Sequence, residues 1–357
     1  MPHEPEDDRT VLAPAVAAML RDNTGLKDGE KVVVLVDIPS AAEVAHLDAG
    51  RTRDFFDRVV LARAVADLSR AAFPKANVDF LPYPSVGQHG TEVPNEIAER
   101  MREVQVVLAM TTYSLTHTEA TAKAARAGAR IASMPGITAA MFKPGGPMAV
   151  DHAAVRAETR HLAELMTKAN QVRVTSPAGT DLSFSLEGRQ GGSDDGFLGL
   201  PGAWGNLPAG EAFAAPVEGT AAGRLVVGRG WYPGLTEDLV LEFSGGQVER
   251  LSGGGEVGAS LAKVLELTAG GEVGIPSPAV RARRNCAELG IGTNPNARTP
   301  DNVLEAEKIR GTIHIAIGDS SHLGGVTPAD LHEDFIIPGP DVYFDGRMVI
   351  QRGRLLE

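Results

Sequence analysis

Two textures of hydrophobic patterning divide the chain. In the first half, short continuous apolar runs alternate with longer stretches of helical period. "KVVVLVD" (31–37) and "VQVVLAM" (104–110) have no polar face, as expected of strands buried on both sides of a parallel sheet. "VDFLPYP" (78–84) and "ARIASMP" (129–135) read as two more strands. Helical periodicity fills the intervals at 54–73, 94–104 and 116–129, and again at 151–169. This alternation predicts an α/β domain over residues 1–169. From about residue 170 the period changes to two. "QVRVTSPAGTDLSFSLEGR" alternates around a Pro-Ala-Gly turn, and "RLVVGRG", "DLVLEFSGGQVERLSGG" and "DVYFDGRMVIQRGRLLE" repeat the theme. A β-rich domain is therefore expected over 170–357, interrupted by a single helix near 257–269.

Composition narrows the function classes. The chain has 357 residues, 43% of them hydrophobic and 22% charged, and no apolar run of membrane-spanning length. "MPHEPEDDRT" carries no basic region followed by an apolar one, so a cytoplasmic protein is the expectation. The formal charge of -12 repels phosphate backbones and argues against nucleic acid as a partner. Cys286 is the only cysteine, which excludes an intrachain disulfide and any thiolate-cluster metal site.

The density of chemistry is highest near the C-terminus. "GTIHIAIGDSSHLGG" (311–325) and "DLHEDF" (330–335) hold three of the nine histidines. If "TIHIAI" is a strand, Ile313, Ile315 and Ile317 share one face and His314 the other. His332 and Asp334, two apart, then project to one side, which is ligand spacing. Upstream, Glu288 points away from Ala287, Leu289 and Ile291, and Glu211 lies in "GNLPAGEAFAAP", expected as a Gly/Pro-rich loop. Each of these residues alone has an ordinary structural reading, as a packed histidine or a solvated acid. Spacing does not show whether the strands meet.

Two other motifs compete. Gly253-x-Gly255-x-x-Gly258 precedes a helix, but no acid follows about twenty residues on, as a dinucleotide site requires. In "SLTHT", Ser114, Thr116 and His117 follow a buried strand. They can cap a helix, or His117 can act on substrate. Trp204 and Trp231 lie in loops of the β-rich half.

The ordered run "GNLPAGEAFAAP", "AELGIGTNPNA", "EKIRGTIHIAIGD" and "LHEDFII", with "TTYSLTHTEA" and "ASMPGIT" before it, resembles the aminopeptidase T family of metallopeptidases over nearly the whole chain. The resemblance implies a homodimer cleaving an amide or peptide bond near a free amine. It also implies two divalent ions held by Glu211, Glu288, His314, His332 and Asp334. Zinc suits nitrogen and oxygen ligands, and cobalt or manganese would serve. The family tyrosine seven residues past the strand histidine is absent: Ser321 stands there, with His322 next. His322 and His117 are thus the residues expected to contact substrate. The same superfamily includes 2,5-dihydroxypyridine dioxygenases, which hold Fe(II) with two histidines and one carboxylate. Their third ligand, a histidine, matches the place of Glu288.

Overall fold

Residues 5–116, 118–268, 271–272 and 276–356 are described by the computed structural model. The chain forms two compact units, one of residues up to Arg156 with Gly196–Ala209, the other of Ala157–Asp195 with Gly210 onward. The first unit is α/β. Its sheet runs in the order Asn77–Pro84, Lys31–Ile38, Val106–Ala109, Arg130–Ser133 and Trp204–Asn206, every neighbouring pair parallel. Val32 through Val36 are fully buried, which is why that strand shows no polar alternation. Helix Ala49–Ala72 packs on this sheet and is started by Asp48, whose side chain accepts from the Arg51 N–H.

Two features of this unit have no counterpart in the sequence expectation. A helix spans Pro5–Ala18. The strand Trp204–Asn206, from well inside the β-rich half, returns to complete the parallel sheet. Trp204 stays 47% exposed there.

The second unit is antiparallel and β-rich. One sheet has eight strands; another has five, in the order His332–Pro338, Thr312–Gly318, Cys286–Gly292, Glu211–Ala214 and Gly192–Asp194; Leu267–Thr268 and Gly271–Glu272 pair as a two-stranded third. Val174, Leu182, Phe184 and Leu241 of the first sheet share one apolar core with Leu289, Ile313, Ile315, Ile317, Phe335 and Ile337 of the second. Alternation then obliges Glu211, Glu288, His314 and Asp334 to the opposite face of the five-stranded sheet.

The single helix expected in this half is present at Gly255–Val264, but Pro278–Arg284 and Val303–Ala306 are helical too. With seven and four residues they are too short to establish a period. The first is instead marked by its Ser277 cap and Pro278 in the first turn. Glu211 is also no loop residue, since it opens the strand Glu211–Ala214. The glycine motif at 253–258 turns an antiparallel strand into a helix, with an added Cβ at Gly258 falling 2.1 Å from the Gly253 carbonyl oxygen. That is close packing, not a strand-helix-strand nucleotide fold. No helix of the described residues is long and apolar enough to cross a membrane.

Candidate metal centre

Strand register brings the polar residues together. Glu288 lies opposite Ala316, and Ala316 opposite Asp334, so two carboxylates flank a methyl group in one row. In the next row His314 faces Gly290. A Cβ added to Gly290 would lie 2.0 Å from His314 Cε1 and 2.1 Å from Nε2, so only glycine leaves the imidazole its place. Glu211 faces Gly292, and His332 lies opposite Gly318. Small residues form the floor on which the five side chains converge.

The converging atoms make two groups that share Glu288. His314 Nε2 lies 3.0 Å from Glu211 Oε1 and 3.6 Å from Glu288 Oε1. His332 Nε2 lies 3.1 Å from Glu288 Oε2 and 3.5 Å from Asp334 Oδ1. Among the described residues, Glu211, Glu288 and His314 form one set of donors compact enough for an ion, and Glu288, His332 and Asp334 another. Each oxygen of Glu288 serves a different set.

A divalent ion fits these donors. Ligands at about 2.0–2.1 Å around a tetrahedral ion stand roughly 3.3–3.4 Å from one another, and the histidine-to-carboxylate separations within the two sets run from 3.0 to 3.6 Å. Asp334 Oδ1 is buried without a hydrogen-bond partner, an acceptor left open in the way a ligand oxygen requires. His332 donates its Nδ1–H to the Asp319 carbonyl at 2.7 Å, which turns Nε2 inward.

Without an ion, the electrostatics are those of a dense acid–imidazole cluster. Burial pulls the His332 pKa down, but Asp334 and then Glu288 outweigh it and push it up to about 12. His314 is raised well above its ordinary value against burial, chiefly by Glu211. Burial raises Glu211, while Lys308 and His314 more than offset this and hold it at about 2.

His322 stands beside this cluster. Its Nδ1 is hydrogen-bonded to Asp319 Oδ2, its ring meets that of His332 edge-on at 4.9 Å, and its side chain is partly exposed. Ser321 donates to the other Asp319 oxygen at 2.7 Å. The missing tyrosine is not replaced by Tyr232, which donates to Glu333 at 2.7 Å and stacks on Phe335, on the core side of the strand. His117 lies outside the described residues. Its neighbours do not cap the following helix, a role taken by Thr118; Ser114 donates its N–H to His89 and Thr116 bonds Ser133.

Sequence reasoning assigned no role to four residues here. Asp319 orients His322, and Lys308, Asp194 and Glu307 form a buried ion cluster behind Glu211. A lysine within "EAEKIR" reads as solvated, and only its place just before the histidine strand hints otherwise.

Comparison with known proteins bears on this geometry. A family model described as "NicX: 2,5-dihydroxypyridine 5,6-dioxygenase" matches residues 16–357. The chain belongs to this family. A curated member, the 2,5-dihydroxypyridine 5,6-dioxygenase of Pseudomonas putida KT2440, is 25% identical over 203 residues. That match covers 53% of this chain and 55% of the relative, so the aligned part spans about half of each. The solved structure of 2,5-dihydroxypyridine dioxygenase from Pseudomonas putida KT2440 superimposes with a TM-score of 0.69 at 18% identity, covering 98% of this chain and 97% of that one. Wild-type AmpT from Thermus thermophilus superimposes with a TM-score of 0.62 at 16% identity, covering 98% and 100%. Family membership relates the chain to the dioxygenase, and the likeness to AmpT is one of fold.

Proposed function

We propose that the protein is a metal-dependent hydrolase with a dinuclear centre, held by Glu211, Glu288, His314, His332 and Asp334, that cleaves an amide or peptide bond next to a free amine. The observation that carries this reading is the position of Glu288, whose two carboxylate oxygens face two separate donor sets. A bridging carboxylate suits a pair of ions about 3.5–4 Å apart. Such a pair, when bound, supplies an activated water and a polarised carbonyl. Zinc is the preferred ion, with cobalt and manganese compatible with the same donors.

The chain's own residues complete the chemistry. In hydrolysis the water oxygen bonds to the carbonyl carbon, the C–N bond breaks, and the leaving nitrogen takes up a proton. His322, held at Nδ1 by Asp319, can carry that proton or donate to the oxyanion. A homodimer is proposed by resemblance to the peptidases.

A second reading has its own support. The family model and the curated relative are named for the dioxygenase, and Asp334 Oδ1 lies 3.9 Å from His314 Nε2 and 3.5 Å from His332 Nε2. The compact donor set on that side is Glu288, His332 and Asp334, which can hold a single Fe(II) with Glu288 in the place of the dioxygenase's other histidine. The experiment supplies the stripped protein with zinc, cobalt or manganese and assays amino-acid amides and short peptides. In parallel, anaerobically Fe(II)-loaded protein is given 2,5-dihydroxypyridine and O₂ uptake is followed. Amide cleavage without O₂ uptake supports the hydrolase; the converse moves the assignment to the dioxygenase.

A further inference from the structure

Behind the five candidate ligands lies a buried cation that the proposed chemistry does not use. Asp194 and Glu211 sit directly opposite each other on antiparallel strands, a placement in which like charges repel. The chain supplies the countercharge from elsewhere. Lys308, only 1% exposed, extends its ammonium between them, 3.2 Å from Asp194 Oδ2 and 3.1 Å from Glu307 Oε2, and donates a hydrogen bond to Glu211 Oε2. Its backbone is fixed as well: the Lys308 N–H donates to the Glu305 carbonyl, and its own carbonyl accepts from the Asn294 N–H.

The division of labour on Glu211 is the informative point. Oε2 is taken by Lys308, whereas Oε1 lies 3.0 Å from His314 Nε2, on the side of the donor set. With a lysine on one oxygen, Glu211 has a single oxygen to offer an ion. With Lys308 filling the space among Asp194, Glu211 and Glu307, those acids do not form a separate trap for a divalent cation.

We propose that Lys308 is a positioning residue of the metal centre: a resident monocation that holds Glu211 with one oxygen toward the ion and keeps divalent ions out of the acid pocket behind it. The inference rests on the metal-binding reading above. Partners that orient a ligand in this way typically govern about 10–100-fold in metal affinity.

The test is equilibrium dialysis of the stripped full-length protein against Zn(II), with bound ions per chain counted by mass spectrometry, for wild type and Lys308→Met. The expected result is that wild type binds two ions, whereas Lys308→Met keeps one and binds the other about 10–100-fold more weakly. A lysine with a merely structural part would lower thermal stability without discriminating between the ions. If wild type binds two ions and Lys308→Met binds both with unchanged affinity and admits no third, the inference is overturned; a further ion taken up only by Lys308→Met supports the exclusion of divalent ions by the lysine. If wild type itself binds only one, the dinuclear reading fails; Lys308 is then judged on that ion, a weakened site supporting it and an unchanged site rejecting it. Should circular dichroism show Lys308→Met unfolded, Lys308→Met/Asp194→Asn removes a repelling acid with the cation and is read by the same outcomes.

Discussion

Replacing Gly290 with alanine adds one methyl group at the point where the fold yields to the metal site. The new Cβ would lie 2.0, 2.1 and 2.7 Å from Cε1, Nε2 and Nδ1 of His314. His314 is buried and tied to Glu211, and its strand is hydrogen-bonded on both sides, so neither ring nor backbone can retreat freely. Overpacking of this kind costs about 1–3 kcal/mol. At roughly 2–4 °C per kcal/mol for a unit of this size, the metal-free protein should melt about 2–12 °C lower. The functional consequence is more specific. Driven out of line, Nε2 no longer meets Glu211 and Glu288, and the ion on that side is lost, while the Glu288–His332–Asp334 set keeps its own. Gly228→Ala is the control: its added Cβ meets only Trp231 Cδ1 at 3.7 Å, an ordinary contact. Calorimetric melting and metal content of both variants provide the assay. If Gly290→Ala melts with wild type and holds the same ions, the ring is not confined as described.

Three other outcomes follow from the same geometry. His322→Ala should keep both ions and the fold but lower turnover by about 10²–10³, the usual loss for one transition-state donor, with Ser321→Ala doing much less; wild-type turnover in His322→Ala would remove the histidine from the mechanism. For the metal-free protein, the raised pKa values of His314 and His332 stabilise the fold fully below the unfolded value near 6.5, and that stabilisation is lost as pH rises toward about 12 for His332. Metal affinity runs the other way, because each ligand histidine must first shed a proton. The melting-temperature gap between loaded and stripped protein should therefore widen from about pH 6.5 to about pH 9, and a constant gap would contradict the ligand assignment. Burial pushes the Cys286 thiol up to about 12, so it should resist a disulfide reagent at neutral pH and react only after unfolding; prompt labelling of folded protein would show that the site strand opens.

Much of this arrangement is legible in the sequence because alternation decides which way a strand residue points. "TIHIAI" places His314 opposite the isoleucines, and "LHEDF" pairs His332 with Asp334, before any tertiary contact is known. What alternation cannot supply is register. That Ala316 stands between Glu288 and Asp334, or that Gly290 faces His314, depends on strand pairing between residues 18 to 28 positions apart. Lys308 was invisible for a related reason. It reads as a surface charge until the strands deliver Asp194 and Glu211 to it from more than ninety positions away. The short helices after Ser277 and Asn302, and the return of Trp204–Asn206 to the parallel sheet, lack the length that makes a period readable.

The central claim is that Glu288 would serve both donor sets of a two-ion centre. Its most direct measurement is the metal content of wild type and of Glu288→Gln, each stripped and then dialysed against Zn(II). Two ions per chain in wild type, and loss of both tight sites in Glu288→Gln, is the predicted result, since each donor set loses the carboxylate that the two sets share. A single ion in wild type, or Glu288→Gln retaining one tight ion, would contradict the shared role of Glu288 and shift the site toward a mononuclear arrangement.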